Sequence, residues 1–383
     1  MKRYKIHLVS SILFMSVLVL GYGCAEPAPA PKPAPAPKPA PAPAPKPAPA
    51  PAPSVAAKAL PEVTWRISGR GKRRTAMEGL EKLVELVAQK TGGKFQIKIY
   101  YAEQLAKAKE ELDGLKVGLF EGAQITASSM PAKMPLGLLL DQPFLPGLED
   151  QWKLAYICGT LYAESYAFQE ELARWDARYF MNMTLPPYQI VSKEPITTVE
   201  DLKGKVLRAS GAQGAVLEKF GAATLMVSGA EIYPAYERGV IDGLAFTDYG
   251  VPAYGLHEVG KYWTEGVDLG TVGSCMIIMR KSAWEALPVE YQNAINESLP
   301  EAYRVLIDEK YAESAQKSID AMVAAGMEIL QFDPESKKLL LKEAENVWNQ
   351  WIGDSDARRD LFNYAVRLAG SVTREGARAH ILR

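Results

Sequence analysis

The stretch PITTVEDLKGKVLR, residues 195–208, opens a run of alternating strand and helix signals. Its apolar end predicts a strand over residues 206–209, followed by a helix over residues 212–220 and a strand over residues 223–227. Two parallel strands joined by a helix usually share one sheet, with helices packed on its faces. This part of the chain therefore predicts an α/β unit.

The same alternation extends in both directions. Downstream, Ser228 and Glu231 form a capping box for a helix that ends at Gly239, and a strand is predicted over residues 240–246. Upstream lies a second unit, with strands predicted at 64–68, 95–99 and 123–127 and helices at 77–87 and 106–118. A late strand at 272–279 precedes helical segments at 289–325 and 335–368, which are divided by a strand at 328–332. Two α/β units that return to each other indicate two lobes with a cleft between them.

Composition excludes several classes of function. The 383 residues carry 44 Lys and Arg against 45 Asp and Glu, so a net charge of −1 gives no general attraction to nucleic acid. Three Cys cannot supply a disulfide framework or a four-thiolate zinc site. Only His257 and His380 lie outside the N-terminal leader. No nucleophile elbow or metalloprotease motif occurs. The composition therefore predicts neither an enzyme nor a metal or cofactor site.

The first 24 residues have the pattern of a secretory signal, with a basic start and an apolar run. The run ends in LGYGC, residues 20–24, which resembles a bacterial lipoprotein box in which Cys24 is acylated. Gly21 departs from that motif, which usually has Leu at this position. The alternative is ordinary signal cleavage, with Cys24 incidental. We expect a lipid-anchored, extracytoplasmic protein.

A Pro/Ala-rich spacer, residues 25–61, follows the signal. Pro occupies every second position from Pro27 to Pro53. Because Pro fixes φ and lacks an N–H donor, this segment forms neither helix nor sheet. We expect a disordered, extended spacer of polyproline II character that holds a globular head away from a membrane.

Several short motifs, in order, resemble one protein family. After residues 195–208 comes EIYPAYERGVIDG at residues 231–243. Three further stretches agree: TGGKF at 91–95, DQPF at 141–144 and MRKSAWEALP at 279–288. Together they resemble the solute-binding proteins of the tripartite ATP-independent periplasmic (TRAP) transporters, of the dicarboxylate-binding type. The resemblance covers nearly all of residues 62–330.

The resemblance implies a two-lobe α/β clamshell with a helix-rich C-terminal segment. It places residues 62–186 and 273–313 in lobe I, and residues 187–272 and 314–383 with the C-terminal helices in lobe II. The implied function is a receptor that closes over an organic acid and delivers it to the small and large TRAP membrane subunits. A tethered sensory or scavenging receptor is the alternative, and a lipid-anchored enzyme is a more distant one.

The family places an Arg at the strand end that follows its Asp-Leu-Lys-Gly motif, where it pairs with the ligand carboxylate. Here that residue is Arg208. A guanidinium group offers a planar fork of donors that matches a carboxylate. The alternative is a strand-end Arg in a structural ion pair.

Two departures from the family shape the expected ligand. Many members have a second Arg before the Pro-Ile-Thr segment, whereas this chain has LPPYQ at residues 185–189. After Asp242-Gly243, where family members often have a Glu, this chain has LAFTD at residues 244–248. Losing a cation while gaining Tyr188 and Phe246 predicts a ligand with one carboxylate and an apolar or aromatic body. Both aromatic residues could equally belong to the core.

Further candidate contacts lie just after predicted strand ends, where open α/β sheets bind ligands. They are Asp248, Tyr249, Ser128 and Arg70. Asp248 is expected to hold a cation or a ligand hydroxyl, or to cap the next helix. The basic cluster at residues 70–74 lacks complete phosphate-loop spacing and has the composition of a solvated loop and helix start. A minor role in attracting anions is the alternative. Cys158 and Cys275 are expected in the core, and a disulfide between them stays open.

Overall fold

The computed structural model describes residues 60–227 and 229–383. The predicted signal, Cys24 and nearly all of the predicted spacer lie outside these residues. Pro61, at the end of the spacer, belongs to the fold, because its carbonyl accepts a hydrogen bond from the Tyr291 hydroxyl at 2.7 Å.

The strands alternate with helices along most of the described chain. The strands are β1 (Val63–Ser68), β2 (Phe95–Tyr100), β3 (Gly122–Ile125), β4 (Ala177–Asn182), β5 (Gln189–Ser192), β6 (Val206–Arg208), β7 (Ala223–Leu225), β8 (Gly243–Phe246), β9 (Tyr262–Glu265), β10 (Met276–Arg280) and β11 (Glu328–Gln331). The α-helices are α1 (Glu78–Lys90), α2 (Glu111–Lys116), α3 (Gln151–Glu164), α4 (Tyr166–Ala173), α5 (Gly211–Glu218), α6 (Ile232–Glu237), α7 (Gly250–Ala253), α8 (Lys281–Glu285), α9 (Val289–Asn296), α10 (Leu299–Arg304), α11 (Tyr311–Ala324), α12 (Pro334–Ile352), α13 (Asp356–Ser371) and α14 (Arg374–Ile381). A π-helix, Val305–Lys310, joins α10 to α11. Short 3₁₀ helices lie at Thr75–Met77, Ala127–Ser129, Gly137–Asp141, Glu200–Leu202, Gly229–Glu231 and Leu256–Glu258.

The strands form two sheets, which confirms the predicted two-lobe α/β fold. The first sheet has the order β2-β1-β3-β10-β4, and the second has the order β11-β9-β5-β8-β6-β7. We call the parts of the chain around these sheets the first lobe and the second lobe. Among the described helices, none is both long and apolar enough to cross a membrane.

Both sheets are mixed, although each predicted unit suggested parallel strands. In the first sheet, β1 runs parallel to β2 and β3, whereas β10 is antiparallel to β3 and β4. In the second, β6 runs parallel to β7 and β8, whereas β5 is antiparallel to β8 and β9. The antiparallel strand β10 enters the first sheet after the chain has passed through the second lobe, a crossing that local sequence patterns do not reveal.

Alternating apolar side chains build the first sheet. Trp65 and Ile67 of β1 are buried, as are Phe95 and Ile97 of β2, and the apolar face of α1 packs against these strands. In the second sheet, β8 is buried along its whole length. A Cβ on Gly243 of β8 would lie 2.7 Å from the Val191 carbonyl oxygen, so the close pairing of β8 with β5 requires glycine there.

Two connecting segments run side by side between the lobes. The Tyr188 amide donates to the Gly270 carbonyl at 3.0 Å, and the Leu269 amide donates to the Tyr188 carbonyl at 2.9 Å. The Met183 amide donates to the Cys275 carbonyl at 3.0 Å. These hydrogen bonds hold Tyr188 and Cys275 at the base of the cleft.

The C-terminal helices pack on both lobes, whereas residues 314–383 were expected in the second lobe. Helix α12 contacts α5 of the second lobe, but α13 and α14 contact α3 of the first. The remaining lobe boundaries stay a prediction. The helical segment predicted at 289–325 is divided into α9, α10, the π-helix and α11, with Pro300 in the first turn of α10.

Candidate functional site

A cavity of about 90 Å³ lies between the two lobes. It is several times larger than the ~10–15 Å³ that one water molecule requires. Its first-lobe lining includes Arg70, Gly71, Arg74, Glu103, Gln124, Thr126, Ser128 and Ser129. Its second-lobe lining includes Tyr188, Arg208, Ser210, Met226, Gly229, Ile232, Phe246, Thr247, Tyr249 and Tyr254, and the connecting segments add Leu185, Val272 and Cys275. The cavity therefore has a polar, cationic wall on one side and an aromatic wall on the other.

Arg208 enters this cavity from the end of β6. Its strand is held between β7 and β8, with Arg208 paired to Leu225 and to Leu244. The side chain is half-buried, and its Nε atom is fully buried with no hydrogen-bond partner among the described residues. The guanidinium carbon lies 5.6 Å from the Phe246 ring centroid. Arg208 thus faces the cavity with an unused donor.

The electrostatic surroundings of Arg208 are unusual for an arginine. Burial lowers its pKa, the phenol groups of Tyr188 and Tyr254 oppose that effect, and the nearby cations Arg70 and Arg74 lower it further. Arginine nevertheless stays protonated in proteins. A half-buried cation with cationic neighbours is stabilised by an anion, so the cavity favours a negatively charged solute.

Six of the seven side chains predicted as ligand contacts line this one cavity: Arg208, Tyr188, Phe246, Tyr249, Ser128 and Arg70. Tyr188 and Phe246 are only 8% and 7% exposed and also belong to hydrophobic clusters, so they serve both core and cavity. Their rings meet edge to face at 6.3 Å. Arg70 is fixed in place by a hydrogen bond of 2.5 Å from its Nη2 to the Ser129 hydroxyl.

Asp248 does not line this cavity, in contrast to the prediction. It lines a separate surface pocket with Gln189 and Glu265. Its carboxylate accepts a hydrogen bond from the Tyr249 amide at 2.7 Å, next to the start of α7. Phe246, Thr247 and Tyr249, which flank Asp248 in the chain, all line the interlobe cavity. The contact with the Tyr249 amide lies next to the helix start but does not cap α7, whose N-cap residue is Tyr249. That Asp248 holds a cation or a ligand hydroxyl stays a prediction.

Sequence reasoning did not place Arg74 or Tyr254 among the ligand contacts, although it left a minor role in attracting anions open for the cluster that contains Arg74. Arg74 belongs to the basic cluster that resembled a solvated loop, yet it lines the cavity beside Tyr254. An added Cβ on Gly71 would lie 2.2 Å from Arg74 Nη1 and 2.8 Å from the Tyr254 hydroxyl. The signal for Arg74 was its position shortly after the β1 strand end, at the same sheet edge as Arg70. Tyr254 gave no comparable signal.

A buried carboxyl group lies behind the cationic wall. Glu111 of α2 is fully buried, and the Ser68 hydroxyl donates to its Oε1 at 3.2 Å. Burial raises the pKa of Glu111 to about 8, Ser68 and Arg70 lower it, and Glu103 raises it further. Glu111 is therefore largely protonated at neutral pH and adds little negative charge to the site.

Neither cysteine outside the leader forms a disulfide. Cys158 and Cys275 are both free and buried. The Cys275 thiol accepts a hydrogen bond from the Gln124 amide at 3.5 Å, and the Cys158 thiol accepts one from Asn182 at 3.3 Å. In the part of the chain that the structure describes, His, Cys, Asp and Glu side chains form no group of three or more suited to hold a metal ion.

Comparisons with known proteins agree with this geometry. The model of the family described as bacterial extracellular solute-binding protein, family 7, matches residues 69–354. A monocarboxylate 2-oxoacid-binding periplasmic protein of Nostoc is 25% identical over 301 residues, which cover 76% of this chain and 80% of the relative.

Solved structures show the same fold. A TRAP periplasmic solute-binding protein from Desulfovibrio salexigens, with bound orotic acid, matches with a TM-score of 0.70 at 20% identity, covering 81% of this chain and 99% of that chain. A TRAP solute-binding protein from Rhodoferax ferrireducens, in complex with copurified benzoate, matches with a TM-score of 0.70 at 21% identity, covering 80% of this chain and 98% of that chain.

The family match covers most of the chain and includes the second sheet, every strand of the first sheet except β1, and all cavity-lining segments. It confirms the resemblance found in the sequence and the expectation of a binding protein instead of an enzyme. The chain is therefore an extracytoplasmic solute receptor and belongs to family 7 of the bacterial extracellular solute-binding proteins.

Proposed function

We infer that this receptor binds an organic acid by its carboxylate and delivers it to the small and large membrane subunits of a TRAP transporter. The main supporting observation is Arg208, which lies in an interlobe cavity with a buried Nε that has no partner among the described residues. A buried charged donor without a partner is costly, and a carboxylate in the cavity would satisfy it.

The aromatic wall supports a ligand with one carboxylate and an apolar or aromatic body. The Phe246 ring meets Tyr188 on one side and Tyr254 on the other, with centroids 6.3 Å and 5.5 Å away. Ring edges and faces of this kind pack well against a planar or apolar solute. The monocarboxylate 2-oxoacid named for the Nostoc relative and the benzoate and orotic acid in the two solved structures agree with such a ligand.

Closure of the two lobes would exclude water from the bound carboxylate and so strengthen its interaction with Arg208. Ligand affinity for the closed state then sets the population that the membrane subunits recognise. The head would be held near these subunits by an acylated Cys24 and the Pro/Ala-rich spacer of residues 25–61.

Calorimetric titration of Arg208→Ala tests the carboxylate site. We expect the variant to bind organic acids such as benzoate more weakly by about 2 kcal/mol or more, because the anion loses its charged partner in a buried site. Arg238→Ala is the matched control, since Arg238 is an exposed arginine of the same lobe. Equal affinity of Arg208→Ala and the unmodified chain would remove Arg208 from the site.

A further inference from the structure

Three guanidinium groups meet in the interlobe cavity. Arg70 and Arg74 come from the first lobe and Arg208 from the second, whereas Glu103 is the one acidic residue in the described lining. Two formal positive charges of the lining are therefore not balanced within it. Bringing such like charges together in a partly buried cleft is unfavourable unless an anion lies between them.

Arg74 differs from its neighbour Arg73 in the partners of its guanidinium group. Arg73 forms an exposed two-donor pair with Glu81, in which its Nε donates to Oε1 at 2.8 Å. The Nη1 of Arg74 donates to the Lys72 carbonyl at 3.1 Å. Among residues 60–227 and 229–383, neither Arg74 nor Arg208 forms an ion pair with an acidic side chain, so both charges remain free for a solute.

Arg74 also reaches across to the second lobe. Its guanidinium lies against Gly71 together with the Tyr254 hydroxyl, close enough that any side chain at position 71 would meet both. The phenol of Tyr188 has both arginines nearby: burial raises its pKa to about 12, and Arg208 and Arg74 each lower it. Arg74 and Arg208 therefore approach the same part of the cavity from opposite lobes.

We propose that Arg74 is the first-lobe half of the anion site, and that the ligand carboxylate lies between the guanidinium groups of Arg74 and Arg208. This inference rests on the proposed function and deepens it. A carboxylate has two oxygens, and each can accept hydrogen bonds from a different arginine. The anion then bridges the lobes, so its charge drives closure. Without an anion, closure brings the two guanidinium groups together and is disfavoured.

The test compares Arg74→Gln, Arg208→Gln and the matched control Arg73→Gln in the purified full chain. Calorimetry measures the affinity for benzoate and for acetate as a minimal carboxylate, with benzamide as a neutral analogue. We expect Arg74→Gln and Arg208→Gln each to weaken benzoate binding about tenfold or more, and Arg73→Gln to leave it unchanged. Benzamide should not bind. Small-angle scattering should show benzoate-induced contraction of the unmodified chain and no contraction of Arg74→Gln.

The possible results separate this inference from the proposed function. If Arg208→Gln loses benzoate affinity while Arg74→Gln keeps it, the role of Arg74 is wrong and the proposed function stands. If both variants bind benzoate as the unmodified chain does, both proposals fail. Thermal unfolding of each variant without ligand shows whether the variant is folded. Arg74→Lys keeps the positive charge but lacks the planar guanidinium donors, so it should bind benzoate with intermediate affinity.

Discussion

Glu111 shows how one buried side chain makes stability depend on pH. Its Oε2 is buried without a hydrogen-bond partner among the described residues, and burial raises its pKa to about 8, against the opposing effects of Ser68 and Arg70. An unfolded Glu ionises near its ordinary pKa of ~4.3. Between these two pKa values the folded protein holds a proton that the unfolded chain has lost. The free energy of unfolding therefore falls as pH rises through this window.

Replacing Glu111 by Gln should remove this pH dependence. We expect Glu111→Gln to gain stability relative to the unmodified chain as pH rises from about 5 to about 8, by up to ~1.4 kcal/mol per pH unit. Urea unfolding at several pH values measures the difference. Glu110→Gln is the control, because Glu110 is the adjacent, exposed glutamate. A pH slope that Glu111→Gln leaves intact would show that Glu111 does not carry the proton.

At this scale, sequence reasoning identified Arg208 but not Arg74. Arg208 ends a predicted strand, so its position at the cleft follows from local pattern and from the resemblance. Arg74 lies in a basic cluster where Arg73 points to solvent and pairs with Glu81. Composition cannot distinguish these neighbours, because the direction of each side chain depends on the path of the loop against the second lobe.

At the scale of elements, Asp141 ties the cavity floor to the first sheet. Its carboxylate accepts hydrogen bonds from the Ser128 amide at 3.1 Å, the Ser274 amide at 2.9 Å and the Ser274 hydroxyl at 2.7 Å. The Ser274 hydroxyl in turn accepts one from the Ala127 amide at 2.8 Å. A 3₁₀ helix, the loop after β3 and the segment before β10 are thus held together by one buried acid.

Removing this acid should loosen all three elements at once. We expect Asp141→Ala to lower the free energy of unfolding by about 3 kcal/mol or more, since buried donors lose their acceptor, and Asp141→Asn to cost less. Chemical denaturation measures both. Asp360→Ala, an exposed acid on α13, should change stability little. An Asp141→Ala variant as stable as that control would contradict the assigned role.

Element prediction succeeded where a local period was strong and failed for three strands whose pairing partners are distant in the chain. The alternation in β2 and the apolar face of α1 were found close to their observed bounds. Strands β4, β5 and β9 were not predicted, and the strands with which they pair are distant in the chain. Strand β5, for example, pairs with β8 and β9, more than 50 residues away in sequence.

At the scale of the whole molecule, the expected lipid anchor can be tested directly. We expect Cys24→Ser to release the receptor from the membrane fraction, because stable attachment needs the several acyl chains that a lipoprotein cysteine carries. Fractionation of cells followed by immunoblotting measures the distribution. Cys158→Ser changes a thiol within the fold and should leave the protein at the membrane. A Cys24→Ser protein that stays with the membrane would exclude acylation of Cys24 as the anchor.

The amino-acid order alone determined the two α/β lobes, the receptor family and the place of Arg208, because these follow from local periodicity, capping and the spacing of short motifs. Tertiary structure decided the mixed sheets, the unpaired cysteines, the departure of Asp248 and the convergence of Arg74 on Arg208. Each of these depends on where the chain crosses between lobes and on which way a side chain points after a strand ends. The antiparallel pairings that fix the crossings join segments more than fifty positions apart, and no local pattern records them.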